Sequence, residues 1–314
     1  MMTRNQAVSK VKRRNNKDRL ITYKASRLIF FWVTMTIMII IPFCVWWLYI
    51  NANTLLLGFK VFDSRGHWKY GLENFKWVFA QFETVSEGLG LGVINTLKFW
   101  AWDFFVIFPL TYLTSIFLYK KVAGYKVFKF IFYMPGIISA VVLTSFFKFA
   151  LQDGGPFMEI VSKIAGKDIY IFQNSDTALK GLLVFNLWTF GGGFVMWVAS
   201  FSRIPEEVLE YAKLDGVNWW REMIYIIFPL TTSFFSLQVF MKVLGIFSAT
   251  APILLLTQGA YDTMTIDYWI FINTLDTEMS QARVAAFGLL MTSISVPLSL
   301  IIRKITNKIE TVEY

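Results

Sequence analysis

Residues 28–50 carry no Asp, Glu, Lys, Arg or His. A helix needs about 20 such residues to cross the hydrocarbon core of a bilayer. The run follows a tail holding Arg4, Lys10, Lys12, Arg13, Arg14, Lys17, Arg19, Lys24 and Arg27. A secretory signal has a shorter apolar stretch and a small-residue cleavage site. The run therefore reads as an uncleaved first span, with the polar tail 1–27 held in the cytoplasm by its positive charge. Composition supports a membrane chain: 56% of residues are hydrophobic, 18% aromatic and only 16% charged, against about 25% charged in a soluble domain.

The net charge of +9 does not point to nucleic acid. The basic residues cluster at the ends of apolar runs, where membrane proteins keep them, and no nucleic-acid-binding motif accompanies them. The partner they imply is the lipid bilayer. The single cysteine, Cys44, lies inside an apolar run and can form no internal disulfide. With His67 as the only histidine, a structural zinc site is excluded.

Further apolar runs cover 93–119, 130–149, 181–202, 229–247 and 284–302. Apolar sequence continues from 223 to 261 with Lys242 as its only charge before Asp262, long enough for two spans. An extra span at 243–261 would put Asp262, Asp267, Asp276 and Glu278 in the cytoplasm and leave Arg303, Lys304 and Lys308 outside. Both outcomes oppose the positive-inside bias. The expectation is an all-α membrane domain over 28–306 with six spans and both termini inside. The 203–228 loop then lies in the cytoplasm between spans four and five, 251–261 is outer or re-entrant, and 307–314 forms a short cytoplasmic tail. The outer segment 51–91 holds a candidate amphipathic helix near 72–79. No Walker A loop and no Ser/His/Asp arrangement occur, so neither an enzyme nor a bound cofactor is expected.

The most informative stretch runs Ile204-Pro205-Glu206-Glu207-Val208-Leu209-Glu210-Tyr211-Ala212-Lys213-Leu214-Asp215-Gly216 and on through Asn218 to Ile226-Ile227-Phe228-Pro229. It spells a helix, a tight turn and a second helix. Pro205 suits a first helical position. Glu206 and Glu207 complement the positive helix start. Gly216 can take the left-handed conformation that ends a helix, and Asn218 can cap the next. Pro229 stands where the second helix meets the membrane.

This stretch resembles the EAA loop of ABC importer permeases, whose pattern is Glu-Ala-Ala, three residues, Gly, nine residues, Ile-x-Leu-Pro. Glu210-Tyr211-Ala212, Gly216 and Ile226-Ile227-Phe228-Pro229 keep both gaps, departing at Tyr211 and Phe228. Ile204-Pro205-Glu206-Glu207 and Asp215-Gly216 are similar to the sugar-type, maltose-permease-like branch. Gly71-Leu72-Glu73-Asn74-Phe75, Asn95-Thr96-Leu97, Trp188, Phe247 and Leu255, Thr257 and Gly259 add weaker likenesses along the chain.

The resemblance implies a type I ABC importer permease: two homologous permease subunits forming a path, two ABC ATPase subunits that bind ATP and Mg, and an extracytoplasmic binding protein that delivers a sugar, most simply an oligosaccharide. The loop helix would dock on an ATPase, with Pro205, Glu206, Glu207, Glu210, Tyr211, Ala212, Asp215, Gly216 and Pro229 forming the coupling element. Glu210 would meet a basic residue, and the small Ala212 would permit close approach.

Candidate solute-path residues are Asn186, Trp188, Lys242 and Phe247. Lys242 either faces a cavity or snorkels. Trp188 either lines the path or packs. Gly191-Gly192-Gly193 reads as helix packing, and Lys98 and Asp103 read as interfacial side chains. The competing function is a self-contained secondary transporter, but such folds commonly show related halves and buried carboxylates. No clear internal repeat and few mid-span acids occur here.

Overall fold

The computed structural model describes residues 26–63, 66–82, 88–152, 154–166, 170–275 and 278–306. The tail 307–314 and nearly all of the tail 1–27 lie outside them, as do Asp153, Asp168 and Asp276 of the intervening polar segments. The chain divides into two units, Met1–Leu57 and Gly58–Tyr314. The first contains nearly all of helix α1, Ser26–Phe59, continuous and apolar, with wider π turns over Phe43–Tyr49 directly after Pro42.

The second unit opens with a small antiparallel hairpin, β1 Lys60–Phe62 and β2 Trp68–Tyr70. Helix α2 follows at Glu73–Ala80, matching the amphipathic segment expected near 72–79. Its buried Asn74 donates from Nδ2 to the carbonyls of Gly58 (3.1 Å) and Lys60 (2.8 Å), pinning the helix to the hairpin. Helix α3, Gly88–Tyr119, is a full-length apolar helix.

Three of the remaining expected spans are less regular than their sequence suggests. The 130–149 run is divided between α4, Tyr125–Ile137, and α5, Ala140–Leu151, with Ile138 extended between them. Pro135 and Gly136 weaken the last turn of α4. After α6, Pro156–Ala165, the 181–202 run is also divided. Helix α7, Ser175–Trp188, gives way to a 3-10 turn at Phe190–Gly193 and then to α8, Phe194–Phe201. A Cβ at Gly191 would stand 1.6 Å from the carbonyl oxygen of Phe132, so the glycine lets two backbones touch, the packing role the sequence suggested for it.

Helices α9, Glu206–Leu214, and α10, Trp219–Leu230, lead to α11, Thr232–Leu244. The axes of α10 and α11 differ by 75°. Short helix α12, Ile253–Leu256, precedes a turn in which Gln258, Gly259, Tyr261 and Asp262 all have positive φ. Helix α13, Ile266–Thr274, then α14, Glu278–Thr306, complete the described chain. Among the described residues three helices are long and apolar enough to cross a membrane, or five if each bent pair counts as one span. The larger count is one short of the six expected, and the run in neither count is 181–202, interrupted at its glycines.

One local pattern accounts for two of the irregularities. Ile107-Phe108-Pro109-Leu110-Thr111 recurs as Ile227-Phe228-Pro229-Leu230-Thr231. Each copy is preceded by π turns, at Asp103–Ile107 and Met223–Ile227. Proline removes an N–H and its ring crowds the carbonyl four residues back, so the helix widens there. In each copy the threonine hydroxyl donates to the isoleucine carbonyl at 2.7 Å. Phe108 and Phe228 both pack on Phe235, with ring centroids 5.3 and 5.1 Å away.

Three apolar clusters hold the second unit together. One joins α3, α8 and α10 through Phe108, Tyr112, Ile116, Trp197, Phe201 and Ile227. A second centres on Phe99, Phe147, Leu182 and Ile253. The third joins α2, α13 and α14 through Val78, Trp269, Ala286 and Phe287. The segment 257–266, much of it within the stretch expected to be outer or re-entrant, is held by α3. The Nδ2 of fully buried Asn95 donates to the carbonyls of Asp262 (2.7 Å) and Met264 (2.9 Å). Thr96 Oγ1 accepts from the Ile266 N–H at 3.0 Å.

Candidate functional site

The 203–228 loop folds into the helix, turn and helix that its sequence describes. Pro205 stands one position earlier than expected: it is the residue before α9, with φ −58° and ψ 135°, a ring-compatible conformation that turns the chain into the helix. Glu206 and Glu207 occupy the first turn and are exposed. The helix ends in a Schellman motif. Gly216, at φ +65°, donates to Lys213 O (3.1 Å), and Val217 N–H reaches back to Ala212 O (3.0 Å). Asp215 is the exposed C-cap. Asn218 then caps α10, its Oδ1 accepting from Arg221 N at 2.9 Å.

The two faces of α9 are unlike. Ala212 is turned inward and is 5% exposed, and Leu209 packs on the cluster of α3, α8 and α10. The small side chain thus lets the helix sit close on its own chain. Glu210, Tyr211 and Leu214 face outward, Tyr211 at 68% and Leu214 at 82% exposure.

The loop is braced at its far end. Trp219 stacks on Phe117 of α3 with centroids 5.1 Å apart and planes 12° apart. Buried Glu222 pairs with Lys120, just past the end of α3. Sequence reasoning passed over this pair; the signal was Glu222 standing as the last charge before an apolar run. Pro229 lies in the last turn of α10, two residues before the bend at Thr231.

A cavity of about 550 Å³ lies between α3, the 186–197 region, α11 and residues 245–250. That is within the range of about 300–1,000 Å³ common for small-molecule sites. Asn186 and Lys242 of the expected path residues line it, with Trp100, Thr111, Gln238, Ser248 and Thr250. Asp103, expected at an interface, lines it too, and its Oδ2 lies 2.5 Å from Lys242 Nζ. The clue in the sequence was Asp103 and Lys242, charges of opposite sign in separate apolar runs, where such charges commonly pair. Lys98 is exposed.

Trp188 and Phe247 do not line this cavity. Trp188 stacks on Phe147, centroids 5.6 Å apart, and borders a separate apolar groove of about 490 Å³ beside Phe132 and Phe146. Phe247 packs against the cluster of α2, α13 and α14. Among the described residues no group of His, Cys, Asp and Glu could hold a metal ion.

Long apolar helices, broken helices and a cavity walled by them, with one ion pair in its lining, are features of a membrane permease. The chain belongs to the family described as binding-protein-dependent transport system inner membrane component, whose model matches residues 107–311. This family is a transport component and not an enzyme. The chain is 24% identical over 209 residues to the probable ABC transporter permease protein YesP of Bacillus subtilis, a match covering 66% of each chain. It is 24% identical over 194 residues to the probable starch degradation products transport system permease protein AmyD of Thermoanaerobacterium thermosulfurigenes, covering 62% of this chain and 65% of AmyD. These matches span slightly less than two thirds of the relatives' own length. The fold is similar to that in the crystal structure of a bacterial ABC transporter involved in the import of the acidic polysaccharide alginate. The TM-score is 0.76 at 20% identity, covering 92% of this chain and 99% of that one.

Proposed function

We propose that the chain is a permease subunit of an ATP-driven importer that moves a carbohydrate, most simply an oligosaccharide, across the cytoplasmic membrane. In this reading it pairs with a second, homologous permease, two ABC ATPase subunits bind ATP and Mg beneath them, and an extracytoplasmic binding protein delivers the sugar. The termini and the 203–228 loop face the cytoplasm. The observation that carries the reading is helix α9: it bears the Glu210-Tyr211-Ala212 and Gly216 spacing, is capped at its C-terminal end, is braced on its own core and presents Glu210, Tyr211 and Leu214 outward. A helix fixed in this way moves as a body, so a push on its outer face reaches α3 and α10. The relatives' sugar-transport names support the substrate class, and the neutral polar groups of the cavity suit hydroxyls.

Glu210→Lys tests it. A desolvated charge contact across an interface costs about 2–5 kcal/mol when one side is lost, and reversal costs more. Uptake by cells carrying the whole importer falls at least tenfold, while the subunit still inserts in the membrane and the ATPase still hydrolyses ATP. Undiminished uptake by Glu210→Lys overturns the coupling assignment.

A further inference from the structure

We infer that the Asp103–Lys242 ion pair sets the charge selectivity of the cavity, with Asp103 as the specificity-determining residue that keeps the path suited to uncharged saccharides. The inference rests on the reading of the cavity as a solute path and adds to it the class of sugar admitted. Among the described residues these two are the only charged groups that line the cavity. Their side chains are 28% and 33% exposed, open enough for a solute to meet and desolvated enough for a lone charge to be felt.

The pair is held by the fold. Trp100 Nε1 donates to the Lys242 carbonyl at 2.8 Å, fixing the lysine backbone beside α3. Asp103 begins the π turns ahead of Pro109, and its carboxylate meets the ammonium from the neighbouring helix. With the two charges cancelled, the polar part of the wall consists of neutral donors and acceptors such as those of Asn186, Gln238 and Ser248. An unpaired Lys242 would instead be a ready partner for a sugar carboxylate, because charge-assisted hydrogen bonds are about twice as strong as neutral ones. Asp103 prevents that by occupying the ammonium. An unpaired Asp103 would repel the same carboxylate.

The test uses the whole importer in detergent, with labelled maltotriose as the neutral probe and trigalacturonate as the anionic one. Asp103→Asn raises the affinity for trigalacturonate relative to maltotriose about tenfold, Lys242→Gln lowers it about tenfold, and the double variant returns to the wild-type ratio, the size expected for one weak charge contact of about 1.4 kcal/mol. A pair that merely braces α3 against α11 weakens both sugars equally in both single variants and leaves the ratio unmoved, which overturns the inference alone. If the wild type binds neither sugar, the solute-path reading falls and the inference with it. Where a single variant fails to assemble, Ser248→Cys in a Cys44→Ser background supplies the readout. In the other single variant, the charged methanethiosulfonate of sign opposite to the charge left unpaired reacts about tenfold faster than its counterpart. Equal rates there refute the inference.

Discussion

Glu222→Gln keeps the shape of a buried side chain and removes its charge. Glu222 is 6% exposed and Lys120 17%, so the substitution strands an ammonium that has lost most of its water. Losing one partner of a buried pair costs about 3–5 kcal/mol. Two features place this case at the low end. Lys120 stands at the C-terminal end of α3, where helix carbonyls favour a cation, and its flexible stem can turn toward solvent. The expected loss is about 3 kcal/mol, or a fall of roughly 6–12 °C in melting temperature at about 2–4 °C per kcal/mol. Fluorescence-detected size exclusion of the heated importer measures it. The brace between α3 and α10 loosens as well, so uptake falls more than ATP hydrolysis does. The control is Lys120→Met with Glu222→Leu, which leaves no lone charge and costs less than either single change, because an apolar pair of similar volume replaces a buried ion pair at little net cost. If Glu222→Gln melts with the wild type, or the double variant is less stable than both singles, the reasoning is refuted.

The 257–266 segment depends on one side chain. Asn95→Leu leaves the carbonyls of Asp262 and Met264 without their buried donor at a cost of about 2–4 kcal/mol. Hydrogen exchange over 257–266 accelerates by more than tenfold while α3 itself stays protected; unchanged exchange there argues against the anchor. Gly191→Ala forces a methyl against Phe132 O, whereas a Cβ at Gly193 meets only the Thr111 methyl at 3.1 Å. Gly191→Ala therefore loses about 2–3 kcal/mol or fails to accumulate, Gly193→Ala behaves nearly as the wild type, and equal tolerance at both sites contradicts the close approach.

Sequence alone determined that this chain lives in a membrane and where its firm local structures lie. An uncharged run such as 28–50 admits few alternatives, since charge is costly in hydrocarbon. The α9 helix was legible to within a residue, because caps act over four or five positions and Gly216 and Asn218 state them outright. What sequence could not reach depended on partners distant in the chain. Asp103 looked interfacial until α11 brought Lys242 beside it. That Ala212 would be buried against the core beneath α9 was not legible either. Trp188 and Phe247, equal candidates by composition, went to an apolar groove and a core cluster. The 181–202 run read as one span because hydropathy is summed along the chain. The tertiary structure broke it at the glycines, since a backbone approach such as that of Phe132 to Gly191 enters no local sum.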